Sequence, residues 1–214
     1  MNRVDFGKKT KFEQKNEIFA LKSKGQKVTL RLLDSPYYDA KHFIQEESGW
    51  SVFSCPRIMT EGFCQECDDF FKAAKELKKL TIEKKLDDAK KKELEAIKKK
   101  YNAALSFYYP AIDRDTELFM IFKTTLGVRL QIDTEFNNGI HVLEYSYVIE
   151  RTEKPGSYYS ITRLPEVKKF TDKEEDELKR FSEMTEQDIE TMIGGTKKKS
   201  PEDFADVDEE SHIA

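Results

Sequence analysis

The chain is poor in cysteine, glycine, proline and tryptophan: its 214 residues include 3 Cys, 9 Gly, 6 Pro and 1 Trp. Three cysteines cannot all pair with one another, which argues against a disulfide framework and fits a reducing compartment. No apolar run approaches the length of a membrane span, and the first residues contain no hydrophobic signal-peptide segment. The composition therefore predicts a soluble, intracellular protein.

Catalytic signatures are also missing from the sequence. It contains no Gly-rich phosphate loop, no His-Glu-x-x-His motif and no serine nucleophile motif. Two of the three histidines, His42 and His141, lie in the region expected to fold, and His212 lies near the end of the chain. Acidic pairs are common but carry little information among 41 Asp and Glu. We therefore expect a protein without catalytic activity.

All three cysteines lie in one short segment that also contains a histidine. The order is His42, twelve residues, Cys55, eight residues, Cys64, two residues, Cys67. A Cys-x-x-Cys pair directs two thiolates at one ion from a single tight turn, and a third Cys and a His complete a Cys₃His set. Thiolate and imidazole suit Zn²⁺ better than Ca²⁺ or Mg²⁺. Four protein ligands leave no open position, so the segment predicts one structural zinc ion.

Two alternatives to zinc are a thioredoxin-like redox pair and three unrelated buried thiols. The redox motif is expected at a short turn that opens a helix within a β-α-β pattern, and the residues before Cys64 do not show one. A metalloenzyme, such as a nuclease or a deaminase, would need an open metal position and an acid–base residue. A four-ligand site speaks against that alternative.

Charge is distributed unevenly along the chain, whose formal net charge is -4. Residues 200–214 contain six acids and no Lys or Arg, and residues 172–193 contain nine acids and three bases. Residues 1–171 are in consequence net basic. This asymmetry predicts a mildly basic folded region followed by an acidic tail.

Composition and periodicity divide the chain into four segments. The expected segments are a basic N-terminal arm over 1–25, a folded core over 26–171, a polar helix over 172–193 and a disordered acidic tail over 194–214. The arm is either functional or an ordinary solvated terminus.

Within the core, the zinc loop over 42–67 precedes a Lys-rich helical insert over 68–101, which forms either one long helix or a helical hairpin. Its lysines are interleaved with acids, which usually indicates a solvated face, and a face that contacts DNA is the secondary interpretation.

Short strands account for most of the remaining core. The segments KVTLRLLD, HFIQ, WSVFS, ALSFYYP, ELFMIFK, HVLEYSYVIERT and SYYSITRL have the composition of strands, and TTLGVRLQIDTEF is a candidate short helix. Strands with a helical insertion predict a mainly β fold with helical insertions. We expect an OB-fold barrel with a zinc-binding subdomain.

Aromatic and basic residues occur together on these strands. A face with both types supplies stacking platforms and phosphate partners, which single-stranded nucleic acid requires. The stacking candidates are Tyr101, Tyr108, Tyr145, Tyr147 and Tyr159. The candidate phosphate contacts are Arg31, Lys123, Arg129, Arg151 and Arg163. For each aromatic taken singly, the hydrophobic core is the alternative location.

The order of His42, Cys55, Cys64 and Cys67, followed by aromatic strands and an acidic C-terminus, resembles the single-stranded-DNA-binding (helix-destabilising) proteins of T4-type phages. The segments ELFMIFKTTLGVRLQI and ELKRFSEMTEQDIETMIGG are also similar to parts of that family. The resemblance implies an OB-fold cleft for single-stranded DNA and a zinc ion on those four residues. It also implies self-association on DNA through the arm, where Lys8, Lys9, Thr10 and Lys11 resemble a short basic patch of the family. The long helical insert departs from the family pattern.

The sequence thus predicts a zinc-containing protein that coats single-stranded DNA. The resemblance further implies a role in phage replication, recombination and repair, in the cytoplasm of an infected bacterial host, and replication and recombination proteins as partners recruited through the acidic tail. Two alternatives stay open: a zinc-braced protein-interaction module, and a protein that binds single-stranded RNA, since no residue identifies a reader of the 2′-hydroxyl.

Overall fold

The computed structural model of the chain describes residues 18–47, 49–154 and 157–194. Helices account for 42% and strands for 32% of the structure, so the architecture is mixed and rich in sheet rather than mainly β as the sequence predicted. No helix in these ranges is long and apolar enough to cross a membrane.

Eight strands and six helices follow one another along the described chain. The strands are β1 (Ile18–Phe19), β2 (Lys27–Leu32), β3 (Tyr37–Glu46), β4 (Gly49–Ser54), β5 (Ala103–Asp113), β6 (Leu118–Thr124), β7 (Ser146–Lys154) and β8 (Ser157–Arg163). The helices are α1 (Pro56–Thr60), α2 (Gln65–Ile82), α3 (Asp88–Tyr101), α4 (Leu126–Asn137), α5 (Asp172–Ser182) and α6 (Glu186–Gly194).

The chain forms two compact units. One, which we call the sheet unit, comprises the described residues of 1–37 and 107–198, and the other, which we call the cysteine unit, comprises the described residues of 38–106. The predicted zinc loop and the predicted helical insert thus belong to one unit, and most of the remaining predicted core belongs to the other.

The sheet unit is built on strands in the order β1-β6-β5-β2-β7-β8. Strand β1 runs parallel to β6, and the other neighbours are antiparallel. Burial alternates along β2, where Val28, Leu30 and Leu32 are buried and the residues between them are not, as expected for a strand with one face on the core. Among the described strands, β1 and β8 remain the two ends of this path, so these residues do not form the closed barrel that the sequence predicted.

Both faces of the central strands are covered by helices. On one face, Val128 and Ile132 of α4 join the largest buried cluster, which includes Leu30 and Tyr147. On the other face, a second cluster is centred on Ile121 of β6, against which α5 and α6 pack. Because both faces of β5 and β6 are covered, apolar residues are buried on both sides of these strands. Their burial therefore does not alternate residue by residue.

The predicted helix over 172–193 is present as two helices, α5 and α6. Thr171 and Glu174 cap α5 reciprocally through a capping box. Glu174 is also 1% exposed and accepts a hydrogen bond from Arg114 at 2.7 Å. This buried ion pair fixes the start of α5, and α6 begins anew at Thr185, whose hydroxyl accepts a hydrogen bond from the backbone N–H of Asp188.

The cysteine unit consists of the β3–β4 hairpin followed by α1, α2 and α3. Strand β3 pairs with β4 and with β5, whose first residues belong to this unit. The helical insert is a hairpin, the second of the two forms that the sequence allowed. Lys84 has a left-handed backbone, with φ of 54°, between the helices, and Asp87 caps α3 by accepting from the Lys90 N–H.

Two predictions lie partly or wholly outside the described residues. The basic arm is described only from Ile18 onward, so Lys8, Lys9, Thr10 and Lys11 fall outside, and the predicted acidic tail falls outside after Gly194. The sequence-predicted strands and the short helix α4 are confirmed, with boundaries that differ by up to five residues. The exception is the start of the HVLEYSYVIERT segment, where Val142–Glu144 form a 3-10 helix instead of strand.

Candidate metal centre

Three local elements position the four predicted metal ligands. His42 lies on β3, opposite Phe53 of β4 in the hairpin register. Cys55 directly follows β4, and its N–H donates to the Ala40 carbonyl at 2.7 Å, which holds the end of the hairpin together. Cys64 immediately precedes α2 and Cys67 lies in its first turn, so that the Cys-x-x-Cys spacing places both sulfurs at one end of a helix.

The four side chains converge on one point. Their ligand atoms all lie within 4.8 Å of one another, and all four residues are buried. The Cys64 Sγ lies 3.2 Å and the Cys67 Sγ 3.6 Å from the His42 Nε2, and the Cys55 Sγ lies 3.3 Å from the Cys67 Sγ and 4.0 Å from the Cys64 Sγ. Tetrahedral zinc, with bonds of about 2.0–2.3 Å, requires ligand atoms about 3.4–3.8 Å apart. The observed distances bracket this range, so the site can hold one metal ion.

Burial and local dipoles act in opposite directions on the charge of the candidate ligands. Burial raises the pKa of the Cys64 thiol and of the Cys67 thiol, and burial lowers the pKa of His42. These shifts disfavour the charged forms of Cys64, Cys67 and His42. Two features oppose them: the Cys67 N–H is directed at the Cys64 sulfur and lowers its pKa, and the N-terminal end of α2 favours negative charge.

The ring of His42 is held from several sides. Its Nε2 faces the sulfurs, and the ring centroid lies 5.4 Å from that of Phe53. The nearby backbone at Tyr101 and Asn102 opposes the lowering of the His42 pKa by burial. The His42 Nδ1 has no well-aligned hydrogen-bond partner among the described residues. With Nε2 directed at the sulfurs, Nδ1 is the nitrogen left to carry the proton in a metal-bound imidazole.

Side chains that the sequence did not single out brace the cluster. Arg57 of α1 forms an ion pair with Asp68 of α2, and the Arg57 guanidinium lies 5.4 Å from the Phe71 ring centroid. The Oε2 of Glu66 lies 3.4 Å from the Cys64 sulfur. Glu66 and Asp68 lie two and four residues after Cys64 in the sequence. Only the tertiary structure shows which of these acids contacts the sulfur and which pairs with Arg57.

The redox alternative fits this geometry less well than the metal. The Cys64-x-x-Cys67 pair does open a helix, but it follows α1 and a short loop rather than a strand. A third thiol, that of Cys55, and the imidazole of His42 lie within bonding range of the same point. A dithiol pair has no use for these two additional ligands.

Three of the five predicted stacking residues are buried in the sheet unit. Tyr147 is 0% exposed, and Tyr108 and Tyr159 are each 6% exposed. These three rings lie in the hydrophobic core, which was the alternative location that the sequence allowed. Their ring faces are therefore not exposed for stacking on a base. The two half-buried candidates are Tyr145 of the sheet unit and Tyr101 of the cysteine unit.

The predicted phosphate contacts in the sheet unit make intramolecular contacts. Arg31 donates to the Leu143 and Lys168 carbonyls, with its guanidinium 4.1 Å from the Phe170 ring centroid, and burial lowers its pKa. The remaining contacts are an ion pair of Arg129 with Asp133, a hydrogen bond from Arg151 to the Leu21 carbonyl, an ion pair of Arg163 with Glu135, and cation–π contacts of Lys123 with Tyr108 and of Arg163 with Tyr145.

Arg163 and Tyr145 are therefore the one predicted pair in the described sheet unit that combines a half-buried tyrosine with an adjacent cation, at 4.7 Å. Sequence reasoning missed Phe170 and Glu135, which engage two of the predicted phosphate contacts. Their partners are distant in the chain, and no local pattern would have indicated them.

No protein-family model matches this chain, and no curated protein matches it. The resemblance to the T4-type phage proteins accordingly stays a prediction that depends on the residues quoted for it.

Proposed function

We propose that the protein binds single-stranded DNA without catalysing a reaction, and that one structural zinc ion braces its cysteine unit. The observation that carries the proposal is the convergence of His42, Cys55, Cys64 and Cys67 within 4.8 Å. Their order along the chain is the sharpest feature of the resemblance to T4-type helix-destabilising proteins. A convergent, buried site is what a structural role of the metal requires.

The zinc assignment follows from the donor chemistry. Three sulfurs and one imidazole nitrogen form a soft, four-coordinate set that leaves no position for a reacting water. The chain's own contribution is to bury the ligands, to fix the imidazole orientation and to place the Cys67 N–H beside the Cys64 sulfur. In this proposal the protein acts in replication, recombination and repair in the cytoplasm of a phage-infected bacterium.

The proposal is tested by anisotropy titration of a labelled oligo(dT) with the purified protein over a range of salt. We expect sequence-tolerant binding that weakens with salt, with a slope of about 0.7 per phosphate neutralised in a plot of log K against log salt. The same titration with oligo(rU) and with duplex DNA distinguishes RNA and duplex binding. No binding of single-stranded DNA at low salt would refute the proposal.

A variant without the acidic tail extends this experiment. We propose that residues 200–214, which contain six acids and no Lys or Arg, compete with DNA for basic surface and recruit replication and recombination proteins once displaced. Deleting these residues should raise the affinity for oligo(dT), most visibly at low salt, because the competition is electrostatic. An unchanged affinity would contradict the competition.

A second candidate function is a zinc-braced protein-interaction module. One observation in its favour is that the arginines and the lysine predicted to bind phosphate make contacts within the protein itself. A second is that the cysteine unit has exposed apolar side chains, with Phe63 72% and Ile82 71% exposed. This function predicts tight binding to a protein and no binding of oligo(dT), so the titration above discriminates between the two.

A further inference from the structure

The outward face of α2 carries a row of apolar and basic side chains. Phe71, Lys75, Lys78 and Ile82 are spaced by four, three and four residues, which places them on one side of a helix. Phe71 is 45% exposed and Ile82 is 71% exposed, and both lysines are exposed. We call these four residues, with the neighbouring exposed Lys79, the α2 stripe.

The acids of α2 lie mostly before the stripe. Between residues 70 and 82 the one acid is Glu76, and its Oε1 lies 3.6 Å from the Lys90 Nζ of α3, so it is engaged with the other helix of the hairpin. The other acids of α2 lie near the start of the helix, at Glu66, Asp68 and Asp69. Lys75, Lys78 and Lys79 form no ion pair within the described part of the chain. An ordinary solvated helix places acids three or four residues from its lysines. Lys75 and Lys78 have no acid at those distances. Lys79 does, at Glu76 and Glu83, without an ion pair among the described residues.

Phe71 is arranged as a platform rather than as a stray apolar residue. One side of its ring faces the guanidinium of Arg57, 5.4 Å from the ring centroid, and Arg57 is held by its ion pair with Asp68. The Phe70 ring contacts it edge-on, with centroids 5.3 Å apart. Because these contacts already restrict the ring, stacking on its exposed part costs little additional conformational entropy.

We infer that the α2 stripe is a contact surface for single-stranded DNA, with Phe71 stacking on an unpaired base and Lys75, Lys78 and Lys79 contacting phosphates. The inference rests on the proposed function and adds a DNA-binding site in the cysteine unit. An aromatic ring beside unpaired cations is the combination that binds single strands, since each base has a face to stack and each nucleotide a phosphate. The stripe extends about 16 Å along the helix, enough for a few nucleotides.

The experiment compares two matched double variants in the oligo(dT) titration over salt. Lys75→Gln/Lys78→Gln removes two charges from the stripe, and Lys91→Gln/Lys92→Gln removes two exposed charges from α3 of the same hairpin. If both stripe lysines contact phosphates, the salt slope falls by about 1.4 and the affinity near 0.1 M salt falls about 25-fold. The α3 variant should keep the wild-type slope.

The aromatic contact is tested by Phe71→Ala, with Phe71→Tyr as the ring-preserving control. Loss of one stacked base predicts a roughly 5- to 140-fold lower affinity for Phe71→Ala that persists at high salt, and near wild-type affinity for Phe71→Tyr. The metal content of every variant is measured, because a loss of metal would signal an unfolded cysteine unit rather than a lost contact.

The outcomes separate the inference from the proposed function. A wild-type protein that does not bind oligo(dT) overturns both. Normal wild-type binding with an unchanged slope in the stripe variant, or with an equal drop in the α3 variant, overturns the stripe alone. Binding of a synthetic peptide of residues 200–214 to the wild type but not to the stripe variant, with oligo(dT) binding retained, would reassign the stripe to the acidic tail and overturn the DNA contact.

Discussion

Replacing Cys67 by serine tests the metal centre most directly. Cys67 lies in the first turn of α2, is 4% exposed and supplies one of the four converging ligand atoms. Serine keeps nearly the same shape but is a poor ligand for a soft metal site at neutral pH. Ala73→Ser is the matched control, because Ala73 lies on the same helix and is also 4% exposed, but it is not among the ligands.

The expected size of the effect follows from the ligand count. Structural zinc sites bind with an apparent free energy of about 10–16 kcal/mol, so one ligand in four accounts for about 2.5–4 kcal/mol, or about 10²- to 10³-fold in metal affinity. Burying the new hydroxyl adds a cost of about 1–3 kcal/mol, which Ala73→Ser shares. The difference between the two variants therefore isolates the metal ligand.

The cysteine unit has little else to replace the metal. The buried cluster around the site consists of Ala40, Ala103 and the three cysteines, and large, fully buried side chains are concentrated in the sheet unit. A typical domain is stable by about 5–15 kcal/mol, which is no larger than the free energy that zinc supplies. We therefore expect removal of the metal to unfold the cysteine unit.

The assay is competition with a chromophoric chelator, together with the visible spectrum of the Co²⁺-substituted protein and hydrogen exchange over residues 38–106. Wild type and Ala73→Ser should retain one metal per chain and protected amides, and Cys67→Ser should lose both. If Cys67→Ser and Ala73→Ser retain metal equally against the chelator, or if the wild type contains well under one metal per chain with its thiols intact, the four-ligand centre is wrong.

Three further predictions concern the sheet unit. Tyr147→Phe should be neutral or stabilising by about 1–3 kcal/mol in urea unfolding at neutral pH, because the buried Tyr147 hydroxyl has no hydrogen-bond partner among the described residues; a large destabilisation would show that the hydroxyl is hydrogen-bonded. Burial raises the pKa of Tyr109 and of Tyr147 to about 12. An unfolded tyrosine ionises near pH 10, so stability should be full below about pH 10 and fall between about pH 10 and 12, by about 1.4 kcal/mol per pH unit for each tyrosine. Tyr147→Phe should flatten that decline, and an identical decline would exclude the tyrosine as its source. Glu174→Ala should cost about 3–5 kcal/mol, because it leaves the Arg114 guanidinium, 12% exposed, without its carboxylate. The exposed neighbour Glu175→Ala should change stability by less than about 0.5 kcal/mol, and equal effects would show that the buried pair contributes nothing.

Local sequence patterns predicted the individual elements well. The alternation of Val28, Leu30 and Leu32 predicted β2, and the absence of Gly and Pro from 68–101 predicted the helical insert. Both patterns act over a few neighbouring residues, where side-chain direction and backbone propensity are decided. The split of the 172–193 helix was not predicted, because apolar anchors continue through both helices at helical spacing and the new cap at Thr185 is a single polar residue.

For the aromatic and basic residues, sequence patterns did not predict whether each side chain is buried or exposed. Period-2 spacing places Tyr145 and Tyr147 on one face of a strand, and it does not say whether that face meets a helix or solvent. Helix α4 covers Tyr147, and Glu135 of the same helix pairs with Arg163, which stacks on Tyr145. These partners come from separate elements, so the locations of the tyrosines depended on how the elements pack.

The metal ligands are the opposite case. The spacing of Cys64 and Cys67 fixes their geometry within one helical turn, and the scarcity of cysteine leaves few other candidates. The chain order alone therefore predicted the four candidate ligands. Tertiary structure decided that His42 and Cys55 reach the same point, through the β3–β4 register, and that all five predicted phosphate contacts make contacts within the protein. The physical reason is range: covalent spacing constrains atoms a few residues apart, whereas burial and pairing across elements depend on the whole fold.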